Sequence, residues 1–429
     1  MIQLLLFTII WQSIKVDKFI LDNGLTLLVY EDHFAPVVSA QIHYRVGAFD
    51  EPKGLTGISH LLEHMVFKGT KRYGPKVYDR AIHEAGGEEN GFTSNHVTAF
   101  FANLHKDRYV IELEFEADRM INLLLDPKEF EPEKRVVMEE RRLNDNDPYG
   151  SFGELQDLLT YTYSPYRNPV VGFMSDLERI RLEDVRAWYR RYYNPANAIV
   201  VVAGDVRAAD VRLMVNKLFG KLKGAPVPKE KFTEPPQQGE RRFEYRKDVR
   251  MPAVGIQYHT VTVNEPDAYV LNLIAMILSQ GRSSRFQREV VRDKNLSVNI
   301  YAYSSTAKYA GTFYVFGMPQ TGVEVKTLET EIEDQLERLK TEKVGAEELD
   351  KAKRLVMAQT IYRQDSPTGI GFTIANWENT TGDWQNINRF PDEIQKVAAD
   401  DIIRVAQKYF VRDNRTVGYL LPSGTSEEK

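Results

Sequence analysis

Cysteine is absent from the 429 residues of this chain. The protein therefore forms no disulfide bond and presents no thiolate to a metal ion. Any metal site must be built from histidine nitrogen and from carboxylate or carbonyl oxygen. The absence leaves the redox state of the protein's compartment undetermined.

An excess of positive charge is also missing. Lysine and arginine number 56 against 61 aspartate and glutamate residues, a net charge of -5. Proteins that bind nucleic acid carry a basic patch that neutralises phosphates, so we expect no nucleic acid among the partners. A hydrophobic content of 42% and a charged content of 27% are typical of a soluble globular protein. The chain is longer than the chains that usually fold around one hydrophobic core, which predicts two or more domains.

Long apolar runs are limited to the start of the sequence, Met1–Trp11. This run is too short to span a membrane, but it has the length of the core of a secretion signal. Basic residues before it and a small-residue cleavage site before Lys15 are both missing. The alternatives are therefore a buried first strand or a start site within a longer signal. We take residues 1–14 as a possible signal or leader, which favours the bacterial periplasm or cell envelope over the cytoplasm.

Histidine is scarce, with 8 residues, yet two of them stand four positions apart in His60–Leu61–Leu62–Glu63–His64. Residues at i and i+4 share a helix face, so His60 and His64 can bind one metal ion with Glu63 beside them. Apolar residues at spacings of three and four predict the buried stripe of that helix: Ile58, Leu61, Leu62 and Met65. The alternative is an amphipathic helix with two incidental histidines.

A catalytic zinc site needs a third protein ligand and one open position, and we assign that ligand to Glu140. Residues 132–144 are predicted to form a helix, with Pro132 at its first position and Glu133 in its first turn. Glu133 and Glu140 share one face of this helix, so Glu133 is a candidate for a companion carboxylate that orients a ligand. Glu139 points elsewhere and is predicted to pair with solvent-exposed arginines.

The motif resembles the inverted zinc-binding motif H-x-x-E-H of the pitrilysin and insulysin family of zinc peptidases, which includes the mitochondrial processing peptidases. The resemblance extends over nearly the whole chain through these further stretches: Leu21–Leu25, Gly86–Gly87, Asn90–Ser94, Asn197 and Gly204–Val206. It is greatest for the processing-peptidase-like subgroup, and within it for the catalytic chain of a bacterial two-subunit enzyme.

This resemblance implies one zinc ion per chain, bound by His60, His64 and Glu140, with Glu133 as the companion glutamate. It implies that Glu63 is the general base of a metalloendopeptidase that cleaves short peptides or unfolded polypeptides enclosed between two similar halves. The alternative is a non-catalytic assembly or core subunit with the same fold.

The stretch after Gly86–Gly87 is a candidate for substrate binding. If it leads into an exposed strand edge, an extended peptide can add to that edge through main-chain hydrogen bonds. The family uses an Asn-Ala-x-Thr stretch in this way, which falls here on Asn90, Gly91 and Thr93. The alternative is an ordinary turn before a core strand.

Two halves of the chain resemble each other. The sequence of residues 35–43 is similar to that of residues 251–259. Residues 223–240, between the halves, are rich in proline and glycine. We predict an α+β fold of two similar halves, each a mostly antiparallel sheet packed with helices. Residues 15–222 would form the catalytic zinc-binding domain, 223–240 the linker and 241–429 a homologous domain without zinc ligands.

One family feature is missing from the second half. In related chains an arginine and tyrosine pair clamps the substrate carbonyl over the zinc, but the tyrosine position falls here on Val298 or Asn299, while Arg292 could supply the arginine. Neither Val298 nor Asn299 has a phenolic hydroxyl that could donate a hydrogen bond. We therefore expect a heterodimer with a similar chain that lacks the zinc motif but carries the Arg-Tyr pair. The alternatives are a homodimer, or a monomer whose clamp comes from Tyr301, Tyr303 or Arg292.

Overall fold

The structure is a computed structural model that describes residues 13–230 and 232–423. The run Met1–Trp11, on which the leader prediction depends, lies outside the described residues. Among the described residues, no helix combines the length and the apolar content needed to cross a membrane. Each half of the described chain contains one sheet packed with helices. The predicted α+β fold of two similar, mostly antiparallel halves is confirmed.

The first sheet has six strands in the order β1-β2-β6-β3-β5-β4. Only the β2 and β6 pair is parallel. The turn at Asn23–Gly24 joins the first two strands as an antiparallel hairpin, as this dipeptide predicts. The strands are β1 (Asp17–Ile20), β2 (Thr26–Glu31), β3 (Val37–Tyr44), β4 (Glu88–Thr93), β5 (Thr98–His105) and β6 (Ala198–Gly204).

The helices of the first half cover one face of this sheet. Val200 and Val202 of β6 lie in the same core as Leu61 and Leu62 of the first helix, because alternate residues of a strand point to opposite faces. The helices are α1 (Ile58–Val66), α2 (Val77–Glu84), α3 (Val110–Asn122), α4 (Pro127–Asn146), α5 (Pro148–Thr160), α6 (Met174–Leu177), α7 (Leu182–Tyr192) and α8 (Ala208–Phe219).

Helix α4 begins five residues earlier than the sequence pattern suggests. Its first residue is Pro127 rather than Pro132, and the carboxylate of Asp126 caps it by accepting a hydrogen bond from the Lys128 N–H at 2.9 Å. Pro132 therefore lies inside the helix. Two prolines in this segment can each suit a first helical position, and the aspartate before Pro127 decides between them.

The second sheet has five strands in the order β7-β11-β8-β10-β9, and only β7 and β11 pair in parallel. Its strands are β7 (Arg241–Lys247), β8 (Ala253–Thr260), β9 (Ser297–Ser305), β10 (Gly311–Pro319) and β11 (Arg415–Pro422). Its helices are α9 (Asp267–Ser279), a π-helix (Phe286–Asp293), α10 (Val325–Thr341), α11 (Ala346–Tyr362), α12 (Pro367–Thr381), α13 (Asn386–Lys396) and α14 (Ala399–Tyr409).

The internal repeat is visible in local contacts as well as in strand order. Strands β3 and β8, which carry the two similar sequence segments, hold the same position in their sheets. Before the strand that neighbours each of them, an asparagine side chain donates to a tyrosine carbonyl. Asn197 bonds to the Tyr192 carbonyl at 3.0 Å, and Asn414 bonds to the Tyr409 carbonyl at 2.9 Å. The two halves thus share structural details beyond the arrangement of strands.

The proline-rich segment between the halves contains no helix or strand in its described residues. It is nevertheless bound to the first half. Lys229 Nζ contacts the Asp50 carboxylate at 3.0 Å, and the Glu234 carboxylate accepts from the Ser164 N–H at 2.7 Å. Lys229 and Glu234 thus attach the segment to the first half, and Gln237, which donates to the Arg415 carbonyl at 2.6 Å, attaches it to the second half.

One helix of each half packs against the sheet of the other half. Helix α12 packs against Ile199 and Val201 of β6, on the sheet face opposite to α1. Helix α5 packs against the second sheet through Phe152, which is fully buried. Side chains fill both contacts. Enclosure of substrate between two halves stays a prediction.

Replacing Phe152 by alanine should destabilise the joined halves by about 3–5 kcal/mol, because the deletion leaves a cavity between α5 and the second sheet. Denaturant unfolding of the purified chain measures the change. Leu159→Ala on the same helix is the matched control, since Leu159 is 37% exposed and should cost under about 1 kcal/mol. Equal effects of the two substitutions would contradict the assigned contact.

Candidate metal centre

The first turn of α1 is held by backbone conformation and by a buried carboxylate. Gly57 precedes the helix with a φ of 88°, and a Cβ at this position would lie 2.3 Å from the Val171 carbonyl oxygen, so only glycine fits. The carboxylate of Glu51 accepts from the N–H groups of Gly57 at 2.7 Å and Ser59 at 2.8 Å. The sequence pattern did not reveal Glu51, because no spacing rule joins it to a helix that begins seven residues later.

Two histidines from α1 and one glutamate from α4 converge. His60, His64 and Glu140 each offer one ligand atom, and these atoms lie within 4.8 Å of one another. Glu140 Oε2 is 3.7 Å from His60 Nε2 and 3.6 Å from His64 Nε2. Tetrahedral zinc ligands at about 2.0–2.1 Å from the ion stand about 3.3–3.4 Å apart. The two distances from Glu140 are therefore within a few tenths of an ångström of those in a zinc site, and two imidazoles with one carboxylate are a donor set that zinc accepts.

Electrostatics at the centre favour the ligand form of the imidazole. Burial, with a smaller contribution from His64, lowers the pKa of His60 to about 4. His60 is therefore neutral near pH 7, as a metal ligand must be. Glu140 is the most open of the three, with 38% of its side chain exposed, against 15% for His60 and 16% for His64. The side of the centre next to Glu140 is therefore accessible to solvent.

A second glutamate of α4 fixes the orientation of His64. The Nδ1 atom of His64 lies 3.0 Å from Glu133 Oε1, and Lys68 Nζ lies 2.7 Å from the other oxygen of Glu133. A carboxylate oxygen accepts hydrogen bonds, so in this pair Nδ1 of His64 carries the proton and Nε2 is left with a lone pair for a metal.

Removing the charge of Glu133 should weaken zinc binding without abolishing it. We expect Glu133→Gln to lower zinc affinity about 10- to 100-fold, the usual range for groups that orient a metal ligand. Competition with a chromophoric chelator measures the affinity. The matched control is Glu139→Gln on the same helix, whose parent carboxylate is 65% exposed and pairs with Arg142. An unchanged affinity in the Glu133 variant would show that His64 needs no orienting group.

Glu63 lies beside the donor set but outside it. It is 8% exposed, and its Oε2 atom accepts a hydrogen bond of 2.6 Å from the Thr93 hydroxyl. Burial raises the pKa of Glu63, partly offset by that hydrogen bond and by the nearby His64. A carboxylate that is harder to ionise than usual is a stronger proton acceptor, which suits a general base.

The three predicted substrate residues lie on β4, the strand at one edge of the first sheet. Asn90 is exposed and its side-chain oxygen accepts from the Gly91 N–H at 2.8 Å. Gly91 faces inward against the ring of Phe100. Thr93 also faces inward, toward Glu63, so the structure brings only Thr93 to the chemical centre by its side chain.

The residues considered for a substrate clamp lie in the second half. Arg292 pairs with the neighbouring Asp293 at 3.0 Å. Tyr301 and Tyr303 lie on β9, an edge strand of the second sheet, and are 38% and 47% exposed. Within the part of the chain that the structure describes, none of the three forms a hydrogen bond or ion pair with His60, His64, Glu63 or Glu140.

Two similar α+β halves, with a His-x-x-Glu-His helix and a distal glutamate in the first half only, define the class of inverted-motif zinc peptidases. Sequence comparison agrees. Residues 26–167 match the profile of the insulinase family, peptidase family M16, and residues 179–356 match the profile of the peptidase M16 inactive domain. The chain belongs to peptidase family M16, which confirms the family predicted from the motif.

Individual relatives support the same membership. The zinc protease PqqE of Helicobacter pylori is 31% identical over 414 residues, which are 95% of this chain and 93% of that protein. An uncharacterised zinc protease of Bacillus subtilis, YmxG, is 24% identical over 95% of this chain and 99% of its own length. The crystal structure of a protease from Helicobacter pylori has a TM-score of 0.91 at 30% identity and covers 95% of this chain and 100% of that one. The nearer relation to processing peptidases stays a prediction.

Proposed function

We propose that this protein is a zinc metalloendopeptidase that cleaves short peptides or unfolded polypeptides. The observation that carries the proposal is the convergence of His60, His64 and Glu140, with the Glu63 carboxylate beside them. The names of the zinc proteases of Helicobacter pylori and Bacillus subtilis support it at the level of the family.

The side chains divide the work as follows. His60, His64 and Glu140 would hold a zinc ion, which when bound supplies Lewis acidity toward water and the substrate carbonyl. Glu63 takes a proton from the attacking water and then donates it to the nitrogen of the leaving amine. Glu133 keeps the proton of His64 on Nδ1. The reaction is the hydrolysis of one peptide bond.

The edge strand supports the choice of substrate. Among the residues that the structure describes, strand β4 pairs with β5 and has no strand on its other side. A peptide in extended form can add to the other side through main-chain hydrogen bonds, which place little demand on its sequence. Asn90, Gly91 and Thr93 would then line the path of the peptide past Glu63. An extended backbone is available in short or unfolded chains but not in a compact folded protein.

A non-catalytic core subunit is the second candidate. One solved structure described as a peptidase M16 inactive domain, from Pseudomonas fluorescens, shares the fold with a TM-score of 0.86 at 16% identity and covers 95% of this chain. The fold alone therefore does not select for catalysis. The complete set of His60, Glu63, His64 and Glu140 favours the enzyme, since a scaffold has no physical need for a base beside metal ligands.

Digestion of an unfolded protein, with and without a chelator, tests the proposed function. We expect peptides in the mass spectrum of the untreated sample, none after chelation, and recovery on addition of zinc. A tightly folded globular protein should be cut far more slowly than its denatured form. Absence of any chelator-sensitive cleavage by the zinc-loaded protein, alone or with a partner chain, would favour the core subunit.

We further propose a heterodimer with a similar chain that lacks the zinc motif and carries the Arg-Tyr pair. Val298 and Asn299 offer no phenolic donor, and an oxyanion donor of this kind contributes about 3–4 kcal/mol to transition-state stabilisation. The chain alone should therefore show low activity that rises strongly on mixing. Full activity of a monodisperse sample of this chain, together with its loss on Tyr301→Phe, Tyr303→Phe or Arg292→Ala, would replace the heterodimer by a homodimer or monomer.

A further inference from the structure

Thr93 has a different environment from the one that its position in the substrate stretch predicts. Along β4 the exposed residues are Glu88, Asn90 and Phe92, and Thr93 belongs to the alternate, less exposed set. Its hydroxyl donates to Glu63 Oε2 at 2.6 Å, a length typical of a hydrogen bond to an ionised carboxylate. The side chain of Thr93 therefore contacts the base rather than the outer side of the strand.

The hydroxyl of Thr93 is itself held in place. Thr93 lies opposite Thr98 in the pairing of β4 with β5, and the two hydroxyl oxygens are 3.4 Å apart. Thr98 is fully buried and donates its own proton to the Val46 carbonyl at 3.0 Å. A hydroxyl has one hydrogen to donate. The 2.6 Å contact with Glu63 therefore places the hydroxyl hydrogen of Thr93 on Glu63 rather than on Thr98. The β-branched side chain further restricts rotation about χ1.

A glutamate side chain has several rotatable bonds and two equivalent oxygens. When Thr93 holds Oε2, one of these oxygens is occupied and Oε1 is the oxygen left to accept a proton. Among the described residues, no other group donates a hydrogen bond to the Glu63 carboxylate. Orientation of this kind lowers the barrier because the reacting group need not be ordered during the reaction.

We propose that Thr93 is a positioning residue for the general base, which holds Oε2 of Glu63 and directs Oε1 to the attacking water. The inference rests on the proposed peptidase function. It replaces the expectation that the Thr93 side chain binds substrate, while the backbone of β4 remains available to a peptide.

The kinetic test compares two substitutions in the full chain, loaded with zinc and measured with the partner if one is needed. Thr93→Val keeps the shape and removes the hydroxyl, and should lower kcat about 10- to 100-fold with KM within about twofold of the parent. Thr93→Ser keeps the hydroxyl and should recover most of that loss. Zinc content should be the same in all three proteins.

A rise in KM with unchanged kcat in Thr93→Val would overturn the proposal and restore Thr93 as a substrate contact. Equal losses in the valine and serine variants would also overturn it, because they would show that the methyl group and packing matter rather than the hydroxyl.

A second measurement needs neither metal nor activity. In the zinc-free protein, Thr93→Val should raise the unfolding equilibrium constant about tenfold, since a hydrogen bond to a charged group is lost. In a Glu63→Ala background the same substitution should have much less effect, as expected for two residues that interact directly. Equal effects in both backgrounds would refute the contact. If the effect of Thr93→Val depends on Glu63 but the zinc-loaded protein cleaves no substrate, only the proposed function is refuted.

Discussion

Glu63→Gln should reduce peptide hydrolysis about 100- to 10,000-fold while the protein keeps its zinc. Glutamine has nearly the shape of glutamate and can still accept the hydrogen bond from Thr93, but its neutral amide cannot take a proton from water. Turnover of an unstructured peptide by the zinc-loaded variant measures the loss. Elemental analysis of the same sample verifies that the metal is still bound.

Glu139→Gln is the control for this substitution, because it makes the same chemical change on an exposed residue that pairs with Arg142. It should leave activity within about twofold of the parent, as surface substitutions away from a site usually do. A folded, zinc-loaded Glu63→Gln protein with parental activity would assign the base to another group.

Loss of any one of the three metal ligands should remove both zinc and activity. His60→Ala and His64→Ala each delete an imidazole, and Glu140→Gln replaces a charged oxygen donor by a neutral amide. We expect about one zinc per chain in the parent and less than about one tenth of that in each variant after dialysis. Elemental analysis measures the metal and peptide cleavage measures the activity.

His83→Ala serves as the matched control for the histidine variants. His83 lies on α2, its side chain is 69% exposed, and it is not among the residues that converge at the centre. This variant should retain zinc and activity. Metal loss in the control as great as in His64→Ala would point to unfolding rather than ligation, and zinc-free parent protein would remove the metal hypothesis.

Local periodicity in the sequence was enough to predict which residues of the centre share one face of a single helix. The four-residue spacing of His60 and His64 places both on one face of α1 wherever that helix packs, because 3.6 residues make one turn. In the same way Glu133 and Glu140 share a face of α4, even though the helix begins at Pro127. A shift in the start of a helix leaves the relative orientation of its residues unchanged.

Contacts between distant segments were decided by tertiary structure. Glu133 reaches His64 across 69 residues of sequence, and Thr93 reaches Glu63 across 30. Such contacts depend on how α1 packs against α4 and β4, which no local pattern specifies. Thr93 illustrates the difference. Its sequence environment resembles a substrate-binding stretch, but strand alternation and pairing with Thr98 turn its hydroxyl to Glu63.

For the two halves of the chain as well, the sequence predicts one part of the arrangement and tertiary packing decides the other. Repeated segments, the proline-rich stretch and the missing second zinc motif determined from the sequence alone that there are two similar halves and that one of them carries the candidate metal ligands. Only the tertiary structure decided that α5 and α12 cross to the sheet of the opposite half. Burial of an apolar side chain is favourable against any apolar face that it meets, so the apolar residues of α5 and α12 do not by themselves select a partner. Which face each helix meets depends on the packing of the whole chain.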